Sequence, residues 1–537
     1  MTKRLLFLFS IVALPLLLVM GFLATGQAQA GSPNVCAGGP GAGCAYSTIQ
    51  AALNDDTTEG TTLILAQETF TENLEITRTI SLVGLGPGTV IDGGLTDSVV
   101  LVSGDIEVSL SNLTIQNGDT TIFDGGGLLN EGGTVTLTNV IVQNNTAVNG
   151  GGLANTGNLV LDNVTIRNNL ADLVIDNISI CDNSDIIEPE CLGGGIYNIG
   201  LLTITNSVVN GNTANFGGGI QNDFGEVTAS NIQVYGNTAK TIPGATEIVE
   251  AGGGIENLGT MALTNSIVHR NNAPYGAGLS NGGVLTVTGS ALYLNVASII
   301  GGGLHNTSQL TLQTSNVYSN EALAGGGIAS ESGDVLVAQT AVYQNSATGS
   351  GGGGILHSVA PVAGASSLVI TNSTISNNST NGAGGGLRSE GSSLANTQLN
   401  YVTIADNASI VAAGKAILVS AGTVSVQNSI ISGQGTDCSG TVGSGGYNIG
   451  SDSSCGLTGT GDLPNTNPLL GNLRNNGGST LTQALSVGSP ALDSASGSCP
   501  ATDQRGVARP VRAVCDRGAY EYDGALERVY LPLVVRP

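Results

Sequence analysis

A strand pattern with a period of two residues recurs along the middle of the chain. It is clearest in Gly193–Phe216, GGGIYNIGLLTITNSVVNGNTANF, where Leu202 and Ile204 alternate with threonines. Such alternation is typical of a β-strand that buries one face. Asn206 then bends the chain, a second short strand follows, and Asn212 begins the next turn, since asparagine tolerates the left-handed conformations that turns need. Each copy therefore predicts one coil of short strands.

The copies recur at a nearly constant interval. Each opens with a glycine triplet, which suits a corner where no side chain fits or φ must be positive. The triplets begin at Gly125, Gly150, Gly193, Gly217, Gly252, Gly301, Gly325, Gly351 and Gly384, and Gly276-Ala277-Gly278 fills the one gap. Most intervals are 24 to 26 residues, a period that indicates a solenoid whose coils must stack. We predict an all-β fold, a single-stranded, right-handed parallel β-helix.

Aligning the copies on their second asparagine supports this prediction. The residue three positions earlier is aliphatic in all ten copies: Val142, Ile166, Val209, Val234, Val268, Leu292, Val317, Val342, Ile375 and Ile404. We expect this position to face the core. The aligned asparagines would stack, so their amides would form a ladder along the helix axis. A helical solenoid is the alternative, which the abundance of glycine, asparagine and threonine disfavours.

The first thirty residues have the pattern of a signal peptide. Lys3 and Arg4 precede an apolar run, Leu5–Leu23, and Ala28-Gln29-Ala30 is a small-residue cleavage site. An uncleaved anchor is the alternative. No later segment is long and apolar enough to span a membrane, so we expect an extracellular or cell-surface protein.

We expect five segments along the chain. They are the signal peptide (1–30), an N-terminal cap (31–60), the coils (61–432), a disulfide-stapled C-terminal region (433–523) and an apolar tail (524–537). Within the cap, Tyr46–Leu53 predicts a short amphipathic helix that covers the first coil. Strand-like runs follow at Thr62–Leu65, Leu74–Thr77 and Thr79–Val83.

Composition narrows the choice of partners. Only 10% of residues are charged and 4% are aromatic, but 40% are hydrophobic and 82 are glycine, which fits stacked short strands better than disorder. The net charge of −24 makes nucleic acid and anionic lipid poor partners. An anionic polysaccharide would need a bridging cation such as Ca²⁺, the one cofactor that we consider.

Eight cysteines in an exported chain should form disulfides. They fall into four local couples: Cys36 with Cys44, Cys181 with Cys191, Cys438 with Cys455, and Cys499 with Cys515. Connectivity cannot be deduced from sequence alone, so nearest-neighbour pairing is an assumption. A zinc site is the alternative, which the missing CxxC spacings and the presence of only three histidines disfavour.

Several segments resemble the pectin-lyase-like β-helix superfamily. YSTIQAAL, TTLILAQETFTENLEI and ISLVGLGPGTVIDGG are similar to its usual opening, and the coils resemble the repeats of polymorphic outer-membrane proteins. Near the C-terminus, NPLLGNLRNNGGSTLTQALSVGSPALDSA and DQRGVARPVRAVCDRGAYEY resemble the end of the bacterial choice-of-anchor Q surface proteins, although Arg517 stands where that motif usually has an aliphatic residue. The final VYLPLVVRP is a candidate attachment or sorting element. The resemblance covers nearly all of the mature chain and implies a surface β-helix.

The resemblance also implies two known types of catalytic site, and the sequence matches neither of them. Lyases of this kind use an acidic Ca²⁺ cluster with an Arg or Lys base, and related hydrolases use clustered aspartates with Gly-His-Gly and Arg-x-Lys. The only lysines are Lys3, Lys240 and Lys415. The histidines His269, His305 and His357 lie in different coils. Carboxylates could still meet across coils, and the nearest candidates for such a cluster are Asp223, Glu226, Glu256 and Arg270.

Two intervals between coils are long. The first holds an insertion, Leu170–Leu192, closed by Cys181 and Cys191 and carrying Asp172, Asp176, Asp182, Asp185, Glu188 and Glu190. The second holds Lys240–Ala251. Both leave the coil after the second asparagine, so we expect them on the same side, two coils or about 10 Å apart. Asp182 and Asp185 are the Ca²⁺ candidates, without EF-hand spacing; tolerated surface loops are the alternative.

One outward stripe is the candidate ligand-binding site. The residue two positions before the aligned asparagine is Tyr235, His269, Tyr293, Tyr318 and Tyr343 in five successive coils. Strand alternation predicts an exposed ladder roughly 20 Å long. Flat rings on a rigid face suit carbohydrate or protein contacts, whereas rings that only stack and stabilise the sheet are the alternative.

These observations predict a secreted or cell-surface β-helix scaffold. We expect an adhesin-like protein that binds extracellular polysaccharide or surface proteins; the sequence disfavours an enzyme but leaves that question open. The competing class is a polysaccharide lyase or glycoside hydrolase. A cross-coil cluster of aspartate with arginine in a groove would favour the enzyme, and an uninterrupted aromatic face favours binding.

Overall fold

The computed structural model describes residues 34–120, 124–172, 174–175, 178–179, 181, 191–240, 251–360, 364–411, 414–433 and 435–524. Several predictions fall outside these described residues. They are the signal peptide (1–30), the acidic residues Asp176, Asp182, Asp185, Glu188 and Glu190, nearly all of the second insertion (241–250), and the tail from residue 525 onward.

Four strands make one coil through most of the molecule. In the coil that contains Asn206 they are Leu201–Thr205, Val208–Asn210, Thr213–Ala214 and Ile220–Asn222. Each pairs in parallel with the matching strand of the next coil; Leu201–Thr205, for example, aligns with Glu226–Ser230. Because strands pair between coils and not with their neighbours in sequence, the chain winds as a parallel β-helix. The predicted fold class is confirmed.

The described strands form four parallel sheets, numbered in their order along a coil. Sheet I contains Thr62–Leu65, Ile80–Gly84, Glu107–Ser111, Thr134–Thr138, Asn158–Asp162, Leu201–Thr205, Glu226–Ser230, Thr260–Thr264, Val284–Thr288, Gln309–Gln313, Asp334–Ala338, Ser366–Thr371, Ala395–Asn400, Thr423–Gln427 and Val442–Gly446. Sheet II contains Thr69–Thr71, Val90–Asp92, Thr114–Gln116, Ile141–Gln143, Thr165–Arg167, Val208–Asn210, Gln233–Tyr235, Ile267–His269, Ala291–Tyr293, Asn316–Tyr318, Ala341–Tyr343, Thr374–Ser376, Thr403–Ala405, Ile430–Ser432 and Ile449–Gly450. Sheet III contains Thr146–Ala147, Leu170–Ala171, Thr213–Ala214, Thr238–Ala239, Asn272–Tyr275, Val296–Ile300, Glu321–Ala324, Ser346–Gly351, Ser379–Thr380 and Ala408–Ser409. Sheet IV contains Leu74–Ile76, Val100–Ser103, Leu128–Glu131, Leu153–Asn155, Ile196–Asn198, Ile220–Asn222, Ile255–Asn257, Leu279–Asn281, Leu304–Asn306, Ile328–Ser330, Ile355–Ser358, Leu387–Glu390, Ile417–Val419 and Cys438–Ser439.

The apolar core runs along the inside of the coils. Leu202 and Ile204 are buried and the threonines between them are half-buried, as the alternation predicts. All ten aliphatic residues that precede the aligned asparagines are at most 1% exposed. The core position inferred from the repeat is therefore confirmed.

The aligned asparagines form a continuous buried amide ladder along the corner between sheets II and III. Its members are Asn145, Asn169, Asn212, Asn237, Asn271, Asn295, Asn320, Asn345, Asn378 and Asn407. Each Nδ2 donates to the Oδ1 of the next asparagine at 2.9–3.0 Å. The predicted ladder is confirmed. The left-handed residue of this turn, however, is the one before the ladder asparagine, such as Gly211 or Gly236, whereas Asn206 is itself left-handed with a φ of 52°.

A second amide ladder lines the inside of sheet IV. It joins Asn130, Asn155, Asn198, Asn222, Asn257, Asn281 and Asn306, with Nδ2 to Oδ1 distances of 2.7–2.8 Å. Each of these residues is the asparagine at the end of the GGG-aliphatic-x-Asn motif of the repeat. Ser330, His357 and Ser389 continue the same register, so the amide row ends at Asn306, where a serine follows.

The N-terminal cap has the predicted helix in shortened form. The α-helix spans Ile49–Leu53, and the Thr48 side chain accepts a hydrogen bond from the Ala51 amide at its start. Ile49, Ala52 and Leu53 are buried in the core. Two 3₁₀ helices, Gly39–Ala42 and Asp56–Thr58, lie on either side. No helix among the described residues is long and apolar enough to cross a membrane.

The coils extend beyond residue 432, where the sequence placed their end. Cys438–Ser439, Val442–Gly446 and Ile449–Gly450 add one strand to each of three sheets. The antiparallel pair Leu470–Arg474 and Thr482–Leu485 follows. A second, local antiparallel pair, Val174–Ile175 with Ile178–Ser179, lies in the first insertion. The last coil lacks a glycine triplet, so the repeat gave no signal of it.

The C-terminal region folds back along the outer face of sheet II. The Arg517 guanidinium donates to the Asn448 carbonyl, the Ala519 amide donates to Thr403 Oγ1, and the Asn316 side chain donates to the Ser479 carbonyl. These contacts run from the last coil towards the middle of the solenoid. The region therefore covers part of one face as well as following the end of the helix.

Buried ion pairs hold this region together. The Arg505 guanidinium lies 2.9 Å from Asp503 Oδ2, with side chains 3% and 0% exposed, and 3.6 Å from the centroid of the Tyr520 ring. The Arg509 guanidinium lies 3.8 Å from Glu521 Oε2. Buried charges need such partners, so the charged residues of DQRGVARPVRAVCDRGAYEY serve packing.

Arg517 is accommodated at a position where an aliphatic residue was expected. Its Nε donates to the Ser494 carbonyl and its Nη1 to the Asn448 carbonyl, and the guanidinium lies over the Tyr447 ring. Burial lowers the pKa of Arg517, and the nearby Asp462 charge opposes this shift. The arginine thus joins the C-terminal region to the last coil.

The four disulfides join the cysteine couples that are nearest in sequence. They are Cys36–Cys44, Cys181–Cys191, Cys438–Cys455 and Cys499–Cys515. No cysteine is free. A zinc site built from these thiols is thereby ruled out, since a disulfide sulfur is not a thiolate.

Candidate functional site

The predicted stripe of rings is a stacked column on the outer face of sheet II. We call Tyr235, His269, Tyr293, Tyr318 and Tyr343 the aromatic column; they occupy the same register in five successive strands. Neighbouring ring centroids are 4.8–4.9 Å apart, and the ring planes differ by 1–20°. The spacing matches the distance between parallel strands, so the backbone dictates the stack.

The aromatic column is less exposed than the sequence predicted. His269 and Tyr343 are only 8% and 9% exposed, and the other three rings are half-buried. At one end the C-terminal region approaches, because Thr480 Oγ1 donates to the Gln339 carbonyl in the adjoining turn. The Arg270 guanidinium lies 3.2 Å from His269 Nδ1. The expectation of an exposed ladder was wrong for these two rings. The alternation of residues along a strand does not predict how the rings stack or whether another segment of the chain buries them.

Stacking also decides which part of each ring a ligand can reach. The inner rings of the column cover each other's faces, which leaves ring edges and hydroxyl groups for contact. Among the described residues, no protein partner holds the hydroxyl groups of Tyr235, Tyr293, Tyr318 and Tyr343. The column therefore offers a row of hydrogen-bonding groups and ring edges, not the flat faces that sequence reasoning assumed.

Burial favours the uncharged form of three members of the aromatic column. Burial and the neighbouring Tyr318 raise the pKa of Tyr343 to about 12, and burial and Tyr293 raise the pKa of Tyr318. Burial and the adjacent Arg270 charge lower the pKa of His269. Tyr318 and Tyr343 thus remain hydroxyl donors at neutral pH, and neutral His269 accepts the hydrogen bond from Arg270.

A second column continues the first in the same register. This polar column consists of Asp92, Gln116, Gln143, Arg167 and Asn210. Arg167 donates to Gln143, Gln143 to Gln116, and Gln116 to Asp92, each link having a distance of 2.7–2.9 Å. Sequence reasoning missed this column, although Gln143, Arg167 and Asn210 also lie two positions before a ladder asparagine.

The carboxylate at the end of the polar column is held ionised. Burial opposes ionisation of Asp92, but hydrogen bonds from Gln116, the Gly94 amide and Asn117 outweigh it and hold its pKa below the usual value. Arg167 and Asp92 thus place opposite charges at the two ends of a chain of amides. The outer face of sheet II therefore carries this polar column in line with the aromatic column.

The four residues proposed for a cross-coil catalytic cluster do not meet. Glu226 starts a strand of sheet I, Glu256 is 2% exposed in sheet IV, and Arg270 lies in the turn after sheet II. Asp223 faces the Tyr197 hydroxyl at 3.4 Å. Glu226, Glu256 and Arg270 therefore belong to three different parts of the coil, so the four residues do not form the proposed cluster.

The two insertions leave the same side of the solenoid. They follow the sheet III strands Leu170–Ala171 and Thr238–Ala239, and Lys240 Nζ lies 3.6 Å from Asp172 Oδ2. Asp172 is close to Cys181 and Cys191, whose sulfurs are bonded to each other. The two insertions therefore leave the coils close to each other, as predicted. The Ca²⁺ candidates Asp182 and Asp185 lie outside the described residues.

The three histidines are separate, as expected from their positions in different coils. His269 lies on the outside of sheet II, whereas His305 and His357 belong to sheet IV. His305 Nε2 lies 2.9 Å from Glu331 Oε2. His357 is completely buried, with Nδ1 2.8 Å from Thr397 Oγ1 and Nε2 3.0 Å from Ser366 Oγ.

We expect His357 to make the protein acid-sensitive. Ser366 donates its proton to the Gly333 carbonyl, so it accepts from Nε2, and Thr397 donates to Nδ1. Burial lowers the pKa of His357 to about 4 from 6.5. Buried, neutral His357 therefore makes its full contribution to the free energy of unfolding above pH 6.5. This contribution, about 3 kcal/mol, is lost as the pH falls towards 4. Urea denaturation from pH 7.5 to 4.5 should show the loss.

A His357→Gln variant provides the control for this prediction. Glutamine does not titrate, so the difference in unfolding free energy between variant and parent should shrink with falling pH. Comparing the two chains removes the contribution of Asp437 and Asp516, whose pKa values burial raises to about 6. A difference that does not change with pH would contradict the assignment.

The sheet topology and core place the chain among the parallel β-helix proteins. No protein-family model matches the sequence, and no curated protein matches it. Among solved structures, the chain is similar to pectate lyase Pel9A, with 14% identity and a TM-score of 0.34 over 81% of this chain and 88% of that chain. It is also similar to the A-module of the Azotobacter vinelandii mannuronan C-5 epimerase AlgE6, with 12% identity and a TM-score of 0.28 over 74% of this chain and 94% of that chain. Likeness this distant says nothing about activity.

Proposed function

We propose that the protein is a secreted or cell-surface β-helix scaffold that binds a polysaccharide along the outer face of sheet II. One observation carries the proposal: the tyrosine rings of the aromatic column stack with His269 at centroid distances of 4.8–4.9 Å, and among the described residues their hydroxyls have no protein partner. A regular row of neutral donors suits a polymer whose own hydroxyl groups repeat along its length. The rigid sheet fixes the row before binding, so little entropy is lost on association.

Charge on this face favours some polysaccharides over others. Exposed Arg270 lies beside His269, and Arg167 belongs to the polar column. The chain as a whole carries a net charge of −24, which repels anionic polymers at long range. We therefore expect a neutral glycan, or one with few carboxylates that Arg270 can reach.

Secretion is part of the proposal and has separate support. All eight cysteines are paired in disulfides, and such bonds persist in oxidising compartments. The signal peptide over residues 1–30 and a surface attachment through residues 524–537, in the manner of choice-of-anchor proteins, remain predictions from sequence. N-terminal sequencing of the exported protein would show whether cleavage follows Ala30.

Replacing the hydroxyls of Tyr293 and Tyr318 should weaken binding without unfolding the protein. The double variant Tyr293→Phe, Tyr318→Phe keeps the stacked rings and removes two donors, so we expect about a tenfold or greater loss of affinity, at roughly 1 kcal/mol for each lost hydrogen bond. A glycan array with the oxidised, secreted protein, read with and without Ca²⁺, would identify the ligand. Titration of that glycan then measures the loss.

Tyr197→Phe is the matched control. This tyrosine lies on sheet IV, with its hydroxyl facing Asp223, and its variant should bind like the parent. Equal affinity of the double variant and the parent would exclude the aromatic column as the binding site. New reducing ends, or ultraviolet absorbance that rises during incubation, would instead show a hydrolase or lyase and overturn the scaffold function.

A further inference from the structure

An apolar groove lies on the outer face of sheet I, away from the aromatic column. This sheet I groove has a volume of about 550 Å³, and its described lining residues all belong to four adjacent strands, from Val284–Thr288 to Ser366–Thr371. Val284, Leu336 and Val369 point outward into it; Val284 is 44% exposed and the other two are half-buried. No other described segment contributes to the lining, so a contiguous apolar surface remains open to solvent. Such surfaces mark interaction sites.

The end of the described C-terminal region lies beside the same coils. Gln339 directly follows the groove strand Asp334–Ala338, and its Nε2 donates to the Asp503 carbonyl at 3.1 Å. Asp503 Oδ2 in turn accepts a hydrogen bond from the Glu521 amide at 3.0 Å. Two hydrogen bonds therefore connect the last described residues to the turn that borders the sheet I groove.

The thirteen residues from 525 to 537 are long enough to reach the groove from this point. Gln339 is three residues from Leu336, which is about 10 Å along an extended strand. The thirteen residues span up to about 43 Å when extended, at about 3.3 Å per residue. The four strands of the groove measure about 14 Å from first to last. The segment can therefore pass the turn and still lie across all four strands.

The same segment has the composition that an apolar groove requires. Its residues 529–535, VYLPLVV, form an uninterrupted apolar run. Pro532 favours an extended conformation of the residue before it, and in an extended chain every second side chain points to the same face. Four aliphatic side chains can therefore face one surface together: Val529, Leu531, Leu533 and Val535.

Charge supports the same match. Arg528 and Arg536 stand on either side of the apolar run. Asp334 is an exposed carboxylate of the groove, and none of the described lining residues is basic. The chain carries a net charge of −24, so a segment with two arginines is attracted to its surface. The groove and the segment are therefore complementary in both polarity and charge.

We propose that residues 525–537 dock in the sheet I groove of their own chain, with the aliphatic side chains against Leu336 and Val369 and an arginine near Asp334. The covalent link gives the segment a high effective concentration at the groove, which favours its own chain over a second copy. Docking removes apolar surface of both partners from water. The glycan-binding face on sheet II stays free, whereas surface attachment through the same segment requires its release from the groove.

Cleavage by trypsin after Arg528 tests the docking in the full secreted chain. Mass spectrometry detects the released peptide VYLPLVVRP, whose rate of release follows the undocked fraction. The double variant Leu336→Thr, Val369→Thr should raise this rate about tenfold or more, and it should fold because threonine already occupies the same outward column at Thr286 and Thr311. Val160→Thr is the matched control, since Val160 lies in that column in an early coil, and it should be cleaved like the parent.

A single tryptophan gives a second readout that does not depend on cleavage. The chain contains no tryptophan, so Leu531→Trp places the only indole within the apolar run. Docking should shift its emission to shorter wavelength, and the double threonine variant should reverse the shift. Equal cleavage of the parent and the double threonine variant would overturn the proposal. A wavelength shift that is lost on dilution would also overturn it, because the groove would then hold the segment of a second copy.

Discussion

Replacing Asn237 by alanine should destabilise the protein by about 4 kcal/mol. Its Oδ1 accepts from the Asn212 amide and from Asn212 Nδ2, both at 3.0 Å. Its Nδ2 donates to the Val209 carbonyl and to Asn271 Oδ1, also at 3.0 Å. Alanine removes all four bonds and leaves buried donors on Asn212 unpaired, and each such group costs about 1–3 kcal/mol. Guanidinium denaturation monitored by circular dichroism measures the loss.

Asn210→Ala, in the coil before that of Asn237, provides the control for the ladder prediction. This asparagine points outward from sheet II and is half-buried, so we expect a change below about 1 kcal/mol. Equal destabilisation by the two substitutions would mean that the ladder adds no more than any asparagine of the coil. The comparison matters because both residues are asparagines at the same corner of adjacent coils, one with its side chain outside and the other with its side chain in the buried ladder.

Local patterns in the sequence predicted the coil well. Leu202, Ile204 and the residues three positions before each ladder asparagine are buried as expected, and Asn206 bends the chain with a positive φ. Such positions repeat in every coil, so ten copies report the same environment. The period of two residues and the period of the repeat were enough to determine the fold.

Contacts between distant segments were beyond the reach of these patterns. Gln339 and Thr480 are joined by a hydrogen bond over 141 positions, and no repeat signals that the C-terminal region covers sheet II. Asp437, which is buried and accepts a hydrogen bond from Ser451, lies in the last coil, where the repeat has ended and each residue occurs once. The same limit applies to the aromatic column: its register was predicted, but its partial burial depends on a segment outside the repeat.

The glycine triplets illustrate two different physical reasons for one residue type. In the triplet that begins at Gly217, the first glycine has a φ of 58°, a conformation that side chains other than asparagine and aspartate rarely adopt. Gly219 has no positive φ, yet a Cβ there would lie 2.5 Å from the Gly254 carbonyl oxygen. The third glycine is therefore required by the close approach of two coils.

We expect Gly219→Ala to destabilise the protein by at least about 3 kcal/mol. The Gly254 oxygen that a new Cβ would meet accepts the Ile220 amide at 3.0 Å, so relieving the clash separates the coils and weakens that bond. A Cβ would also lie 3.0 Å from Asn237 Nδ2, which disturbs the amide ladder at the same point. Thermal and guanidinium unfolding should both shift towards milder conditions.

Gly236→Asn separates the effect of close approach from that of backbone conformation. Gly236 has a φ of 64° and only the Gly211 amide nitrogen, 4.0 Å away, near its missing Cβ. Asn144 and Asn168 occupy the equivalent turn with φ values of 57° and 54°, so asparagine should fit at a cost below about 1 kcal/mol. If Gly219→Ala were as mild as this control, contact between coils would not explain the triplet. A large difference between them would show that backbone approach, more than torsional freedom, makes the third glycine necessary in each coil.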